Sequence, residues 1–191
     1  MANGRVITGY SKPYVAKYNV TGGNVTYSNG MPLARGVDVN VEANTTDDNK
    51  FYADNIVAEN EAGKFTSGTL TLNVDGLKDE ADNLISGLTA SEGYTDYDDD
   101  QTIPYMGVGY IIRYQEEGVE SFVPFILPKV MFNDHGDAAE TQGEQKNWQT
   151  QELTAQIYRD DTEKRKWKRR YTAEATEAAA EAKIKTFLNI T

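Results

Sequence analysis

Apolar and polar residues alternate along much of this chain. Val37, Val39 and Val41 alternate with Asp38, Asn40 and Glu42, and Leu70, Leu72 and Val74 alternate with Thr69, Thr71 and Asn73. A period of two puts one set on each face of a strand, so both stretches predict half-buried strands with one wet face. Met106, Val108, Tyr110, Ile112 and Tyr114 form a third such row, and Gly107 and Gly109 on its other face let another segment come close. Glu116-Glu117-Gly118 predicts a hairpin turn into a strand over 119–123. Pro124 and Pro128 then confine the chain to an edge or a bend. Leu153, Ala155 and Ile157 mark a further strand within 148–158, and a polar loop is expected over 133–147. After a turn at 160–163, residues 166–171 read as a paired basic strand. Between the first two long strands, 45–49 is a turn cluster, and 51–55 and 56–59 are short strand pieces closed by Ala62-Gly63.

Two helices stand out against this background. Leu77, Ala81, Leu84, Ile85 and Leu88 make one apolar stripe, with Gly87 as terminator. Such a short helix must lie on a sheet to be stable. At the end of the chain Ala180, Ile184, Phe187 and Leu188 form a second stripe. Thr172 is the expected cap, and Glu181 and Lys185 form an i,i+4 pair. The first thirty residues, rich in glycine, read as an extended arm outside the core, with short strand pieces such as Tyr14 to Val20. Tyr10, Tyr14, Tyr18 and Tyr27 would give that arm contact area on a neighbouring subunit. The expected architecture is therefore mainly β (α+β), a β-sandwich or barrel with one packed helix and a C-terminal helix. Its divisions are an arm over 1–30, a β domain over 31–171 and the final helix over 172–191.

Composition narrows the chemistry. With no cysteine and a single histidine among 191 residues, disulfide frameworks, thiolate or His-rich metal sites and cysteine nucleophiles are excluded. No apolar stretch approaches a membrane span. The net charge of −11 is unevenly spread: residues 1–37 and 159–170 are each +4, and 38–100 is −13. Basic ends around an acidic middle suit a surface that docks on a copy of itself. Asp96, Asp98 and Asp100 have calcium-loop spacing, but Gln101 and Gly107 stand where that loop needs Gly and Glu, so a solvated acidic loop is expected. His135, between Asp134 and Gly136, reads as a solvated loop histidine. No nucleophile motif or phosphate loop appears, so no catalytic role is expected, and no cofactor. The run Lys164, Arg165, Lys166, Trp167, Lys168, Arg169, Arg170 would suit nucleic acid. In so acidic a chain an inter-subunit pairing with the 38–100 surface of a neighbour is favoured.

Several segments, in order, resemble the phi13-type family of phage major tail proteins. They are the 37–41 strand, Phe51-Tyr52-Ala53-Asp54-Asn55, the 70–74 strand leading into the 77–88 helix, and Pro104-Tyr105-Met106-Gly107-Val108-Gly109-Tyr110. Leu127-Pro128-Lys129-Val130-Met131-Phe132 and Thr150-Gln151-Glu152-Leu153-Thr154-Ala155-Gln156-Ile157 follow. The resemblance implies a virion protein made in the host cytoplasm, whose hexameric rings stack into a tail tube that conducts DNA without binding it specifically. Its partners would be copies of itself, a tape-measure protein, and tail terminator and tail-tip proteins, with no membrane. On that footing the segment between the long strands (Asn44, Asp47, Asp48, Asn49, Phe51, Tyr52, Glu61, Lys64) and the arm would carry ring–ring contacts, and acidic residues of 38–100 would line the lumen. The competing expectations are a monomeric carbohydrate-binding or adhesin β-sandwich, and a hydrolase using a carboxylate pair.

Overall fold

The computed structural model describes residues 4–143 and 146–191. Met1–Asn3 of the expected arm, and residues 144 and 145 of the expected polar loop, lie outside the described residues. Strands hold 49% of the described residues and helices 11%, so the fold is the mainly β one expected, with two helices among them. In chain order the strands are β1 (Val6–Thr21), β2 (Asn24–Pro32), β3 (Gly36–Thr45), β4 (Asn49–Ala53), β5 (Ile56–Glu61) and β6 (Phe65–Val74). Helix α1 (Asp79–Ser86) follows. Then come β7 (Met106–Glu116), β8 (Val119–Phe132), β9 (Gln151–Tyr158), the short β10 (Arg169–Arg170) and helix α2 (Glu177–Leu188).

One antiparallel sheet runs β2-β1-β7-β8-β9-β6-β3, with β10 joining β8 beside β9, while β4 and β5 form a separate pair. The sheet curls until the start of β3 packs against β1, where the Tyr10 ring fills the space over Gly36. The inner face gathers the predicted rows: Leu70, Leu72 and Val74 of β6, Met106, Val108 and Tyr110 of β7, and Leu153, Ala155 and Ile157 of β9. Ala81 and Ile85 of α1 close this core, and Gly87, at φ 72, ends the helix.

Three expectations are corrected. Part of the presumed arm is a central strand: β1 pairs with β7 on one side and β2 on the other, and Val15 and Ala16 are fully buried. β8 is interior despite its two prolines. In an antiparallel strand a residue's N and carbonyl point the same way, and the Pro124 carbonyl accepts from Tyr171 N–H. The proline's missing N–H thus points away from β7. Pro128 falls where the β7–β8 register shifts, a bulge that needs no ladder bond there. Finally, α2 is capped by Thr176, which accepts from Ala179 N–H, and not by Thr172. Residues 171–174 stay extended because Glu174 bridges Phe122.

Gly107 and Gly109 have the role their spacing suggested. α2 lies on that face of the sheet, with Leu188 over Gly107 and Ile184 over Gly109. Ala180, Ile184 and Leu188 bury against Tyr14, Ala16, Ile111 and Ile126 in a second apolar cluster.

Candidate functional site

The eight residues expected to carry contacts between subunits come together as one projecting unit. β4 and β5 are a two-stranded hairpin closed by Asp54-Asn55, both at positive φ (51 and 63), the conformation of a tight I′-type turn. A collar holds its base: Thr46 N–H donates to the Lys64 carbonyl, Lys64 N–H to Thr46 Oγ1, and Gly63 N–H to Asp48 Oδ1. Gly63 is required there, since a Cβ would lie 1.8 Å from the Thr46 carbonyl oxygen. Asn44 reaches Ser67 Oγ at 3.3 Å, Glu61 pairs with Lys64 at 2.6 Å, and Asn49 stands opposite Glu61. Asp47 is exposed in the collar turn. Beyond the collar the side chains are bare: Phe51 is 64% exposed, Tyr52 61%, Ile56 67% and Val57 48%. Ile56 and Val57 went unnoticed in the sequence, where they read as an ordinary short strand.

A second surface is the outer face of β3, β6 and β9. Strand register lays its side chains in rows: Asp38, Asn73 and Glu152; Asn40, Thr71 and Thr154; Glu42, Thr69 and Gln156. Asn73 Nδ2 donates to Asp38 Oδ2 at 2.9 Å, as neighbours on one face can. The rows contain three carboxylates and no base. α2 covers β1, β7 and β8 on the outside and leaves these rows uncovered.

The basic run is bound largely to its own chain. Trp167 stacks on Phe65 with ring centres 4.3 Å apart, and the Arg169 guanidinium sits 4.7 Å from the Phe187 ring. Lys168 lies 5.1 Å from the Phe125 ring, and burial, then the neighbouring Arg170, pushes its ammonium pKa below the ordinary lysine value. Lys166 N–H donates to Asp160 Oδ1, a buried carboxylate that also accepts from the Thr162 hydroxyl. Only Arg169 and Arg170 pair as strand, so the expected paired strand over 166–171 shrinks to two residues. Lys164, Arg165 and Arg170 remain exposed. His135 also departs from expectation: its side chain is nearly buried, with Nε2 3.2 Å from Asp82 Oδ1 on α1. Asp96, Asp98 and Asp100 are exposed in their loop, and among the described residues no cluster of His, Asp or Glu could hold a metal ion. No helix among the described residues is long and apolar enough to cross a membrane.

Glu181 fastens α2 to the sheet. It accepts from the Tyr14 hydroxyl and pairs with Lys185 at 3.0 Å and Lys12 at 3.1 Å. The Tyr14 hydrogen bond, then the two lysines, hold its pKa down at about 2. An unfolded glutamate titrates near ~4.3. The stabilisation from Glu181 is therefore complete above that value and is lost as pH falls through about 2. Glu181→Gln should cost about 1–2 kcal/mol in urea melts at pH 7. The difference between variant and wild type should shrink as pH falls below about 4 and through 2, as Glu181 takes up its proton.

No protein-family model matches the chain, and no curated protein matches it.

Proposed function

We propose that this chain is a structural subunit that assembles with copies of itself into the tail tube of a bacteriophage, as stacked hexameric rings, and that it performs no catalysis. The observation that carries this reading is the β4–β5 hairpin. A two-stranded hairpin is at best marginally stable alone in water, and this one presents Phe51, Tyr52, Ile56 and Val57 to solvent. Contact with a neighbour is what such a feature is built for.

Two further features support it. The sheet ends in the edge strands β2 and β3, whose unpaired backbone groups can be met by a neighbour's edge when a ring closes. The base-free rows on β3, β6 and β9 suit the wall of a conduit, because carboxylates repel phosphate and DNA can slide past without sticking. The order of segments that resemble phi13-type major tail proteins supports the same reading. In this reading the tube encloses a tape-measure protein and is closed by terminator and tail-tip proteins.

The test is size-exclusion chromatography with negative-stain electron microscopy over a concentration series, with tail-initiating components added. Rings or tubes are the expected result. A monomer under every condition would overturn the reading. A specific feature favours one rival: Trp148 is 86% exposed, as a sugar-stacking residue of a monomeric carbohydrate-binding module would be. Glycan-array binding by a monomer, lost in Trp148→Ala, would establish that rival.

A further inference from the structure

A groove of about 810 Å³ opens at the end of the fold opposite the hairpin. β3 and β6 run side by side from Gly36 and Val74 at one end to Thr45 and Phe65 at the other. The hairpin grows from the Thr45–Phe65 end. The groove opens at the other end, among the β1 bulge, the β2–β3 connection and the start of α1. Ten strand residues separate the two by about 30 Å.

Groove and hairpin are matched in character. The floor is apolar, with Pro13, Met31, Leu33 and Ala81, and Pro32 is exposed at its edge. Lys12, Arg35 and Lys78 stand around it; Lys12 is paired with Glu181 at 3.1 Å and Arg35 with Asp75, so Lys78 is the cation left to meet an incoming acid. Of the acids there, Asp75 is paired with Arg35 at 2.9 Å and Glu177 accepts from the Ser11 hydroxyl, while Glu80 is exposed. The Lys78 side chain has no hydrogen-bond or ion-pair partner among the described residues. The hairpin offers the complement. Segment 47–61 carries five acids (Asp47, Asp48, Asp54, Glu59, Glu61) against Lys50, and its outer part carries the four exposed apolar side chains. At its tip Asp54 is exposed beside Ile56.

We infer that the groove is the socket for the hairpin of a second copy of this chain, with Ile56 and its apolar neighbours on the floor and Asp54 near Lys78. This rests on the self-assembly proposed above and names the surface that receives the hairpin. Plug and socket lie at opposite ends of the same strands, so copies can add end to end along the strand direction. The contact is then heterologous, and each docking leaves a free plug and a free socket. Repetition of one such step produces growth along an axis. A cross-linked product that stopped at the dimer would mean an antiparallel closed pair instead and would overturn the axial step.

The absence of cysteine makes a clean test possible. In Ile56→Cys/Lys78→Cys the two thiols of one chain are too far apart to join, so a disulfide forms only between copies. Under mild oxidation the expected result is a ladder of dimers, trimers and higher species, at least about 10-fold stronger than in either single variant. Ile56→Cys/Ala34→Cys samples the same groove from another wall and should give the same ladder. If wild type forms tubes while both double variants cross-link no more than the single ones, the socket is wrong and the assembly proposal stands. Cross-linking as strong in Ile56→Cys alone would mean that hairpins pack on each other, and would also overturn the socket. If neither wild type nor variants assemble at any concentration, both proposals fall together.

Discussion

Replacing Phe51, Tyr52, Ile56 and Val57 together by serine is expected to yield a folded monomer that no longer assembles. None of the four belongs to either apolar cluster, and the collar that anchors the hairpin uses backbone groups with Thr46 and Asp48, so the core has no reason to change. The thermal midpoint should stay within a few degrees of wild type. Assembly should respond very differently. Burial of these side chains at a contact stabilises it by about 1 kcal/mol each, allowing for the surface they already cover. Losing about 4 kcal/mol raises the concentration needed for assembly by roughly 10³-fold. Light scattering and electron microscopy across a concentration series would measure this directly. Tubes at the wild-type concentration would show that the hairpin is not the contact, whatever else the subunit does.

How much of this could be read beforehand depended on whether the signal was local. The row at 69–74 alternates cleanly because one face of β6 is buried and the other is not. In 37–41 Val39 and Val41 pack on the core while Val37, at a register shift, is 54% exposed. In 106–114 the second face lies under α2 at Gly107, Gly109 and Ile111. β1 was legible only as a short strand piece over 14–20, and its full length and central place were hidden for the reason opposite to that in β6. Val15 points into the main core while Tyr14, Ala16 and Tyr18 lie under α2 or beside it, so both faces are buried and alternation disappears. Two register shifts, between Ile7 and Gly9 and between Ser11 and Tyr14, break the period further, and Lys12 takes a positive φ. Such a strand, dotted with glycine, looks like a loose arm. The eight hairpin residues were legible as a unit because they sit in one short stretch between two strong strands. Their collar was not, since it joins residues up to eighteen positions apart. The basic run shows the same limit. Its charges are plain in the sequence, but the stacking of Trp167 on Phe65 joins residues about a hundred apart, and it turns much of a supposed docking strand inward. His135 and Asp82 meet for no reason visible near either residue.

Gly109→Val should be the most damaging single substitution in the sheet. A Cβ there would lie 2.4 Å from Ile184 Cγ2 and 3.0 Å from Ile126 Cδ1, closer than packed carbons come, and valine adds two methyl groups beyond it. α2 cannot yield by turning, because Glu181 ties it to Tyr14 and Lys12 and its Ala180, Ile184 and Leu188 are fully buried. It must lift. Overpacking of this kind costs about 3 kcal/mol, which in a chain of this size lowers the melting midpoint by about 10 °C. Gly136→Val is the control, since a Cβ at that position meets nothing within 4 Å and the midpoint should hardly move. Hydrogen exchange should locate the damage in 177–188 before the inner core strands. A variant melting within a degree of wild type would mean that α2 is not seated on this face. The consequence for assembly follows from what α2 covers. Lifting it bares Ala16, Ile111 and Ile126, an apolar patch on the outer face of β1, β7 and β8. A molecule with two competing sticky surfaces should give amorphous aggregate where wild type gives ordered growth, so the same variant separates a subunit that merely sticks from one that adds in register.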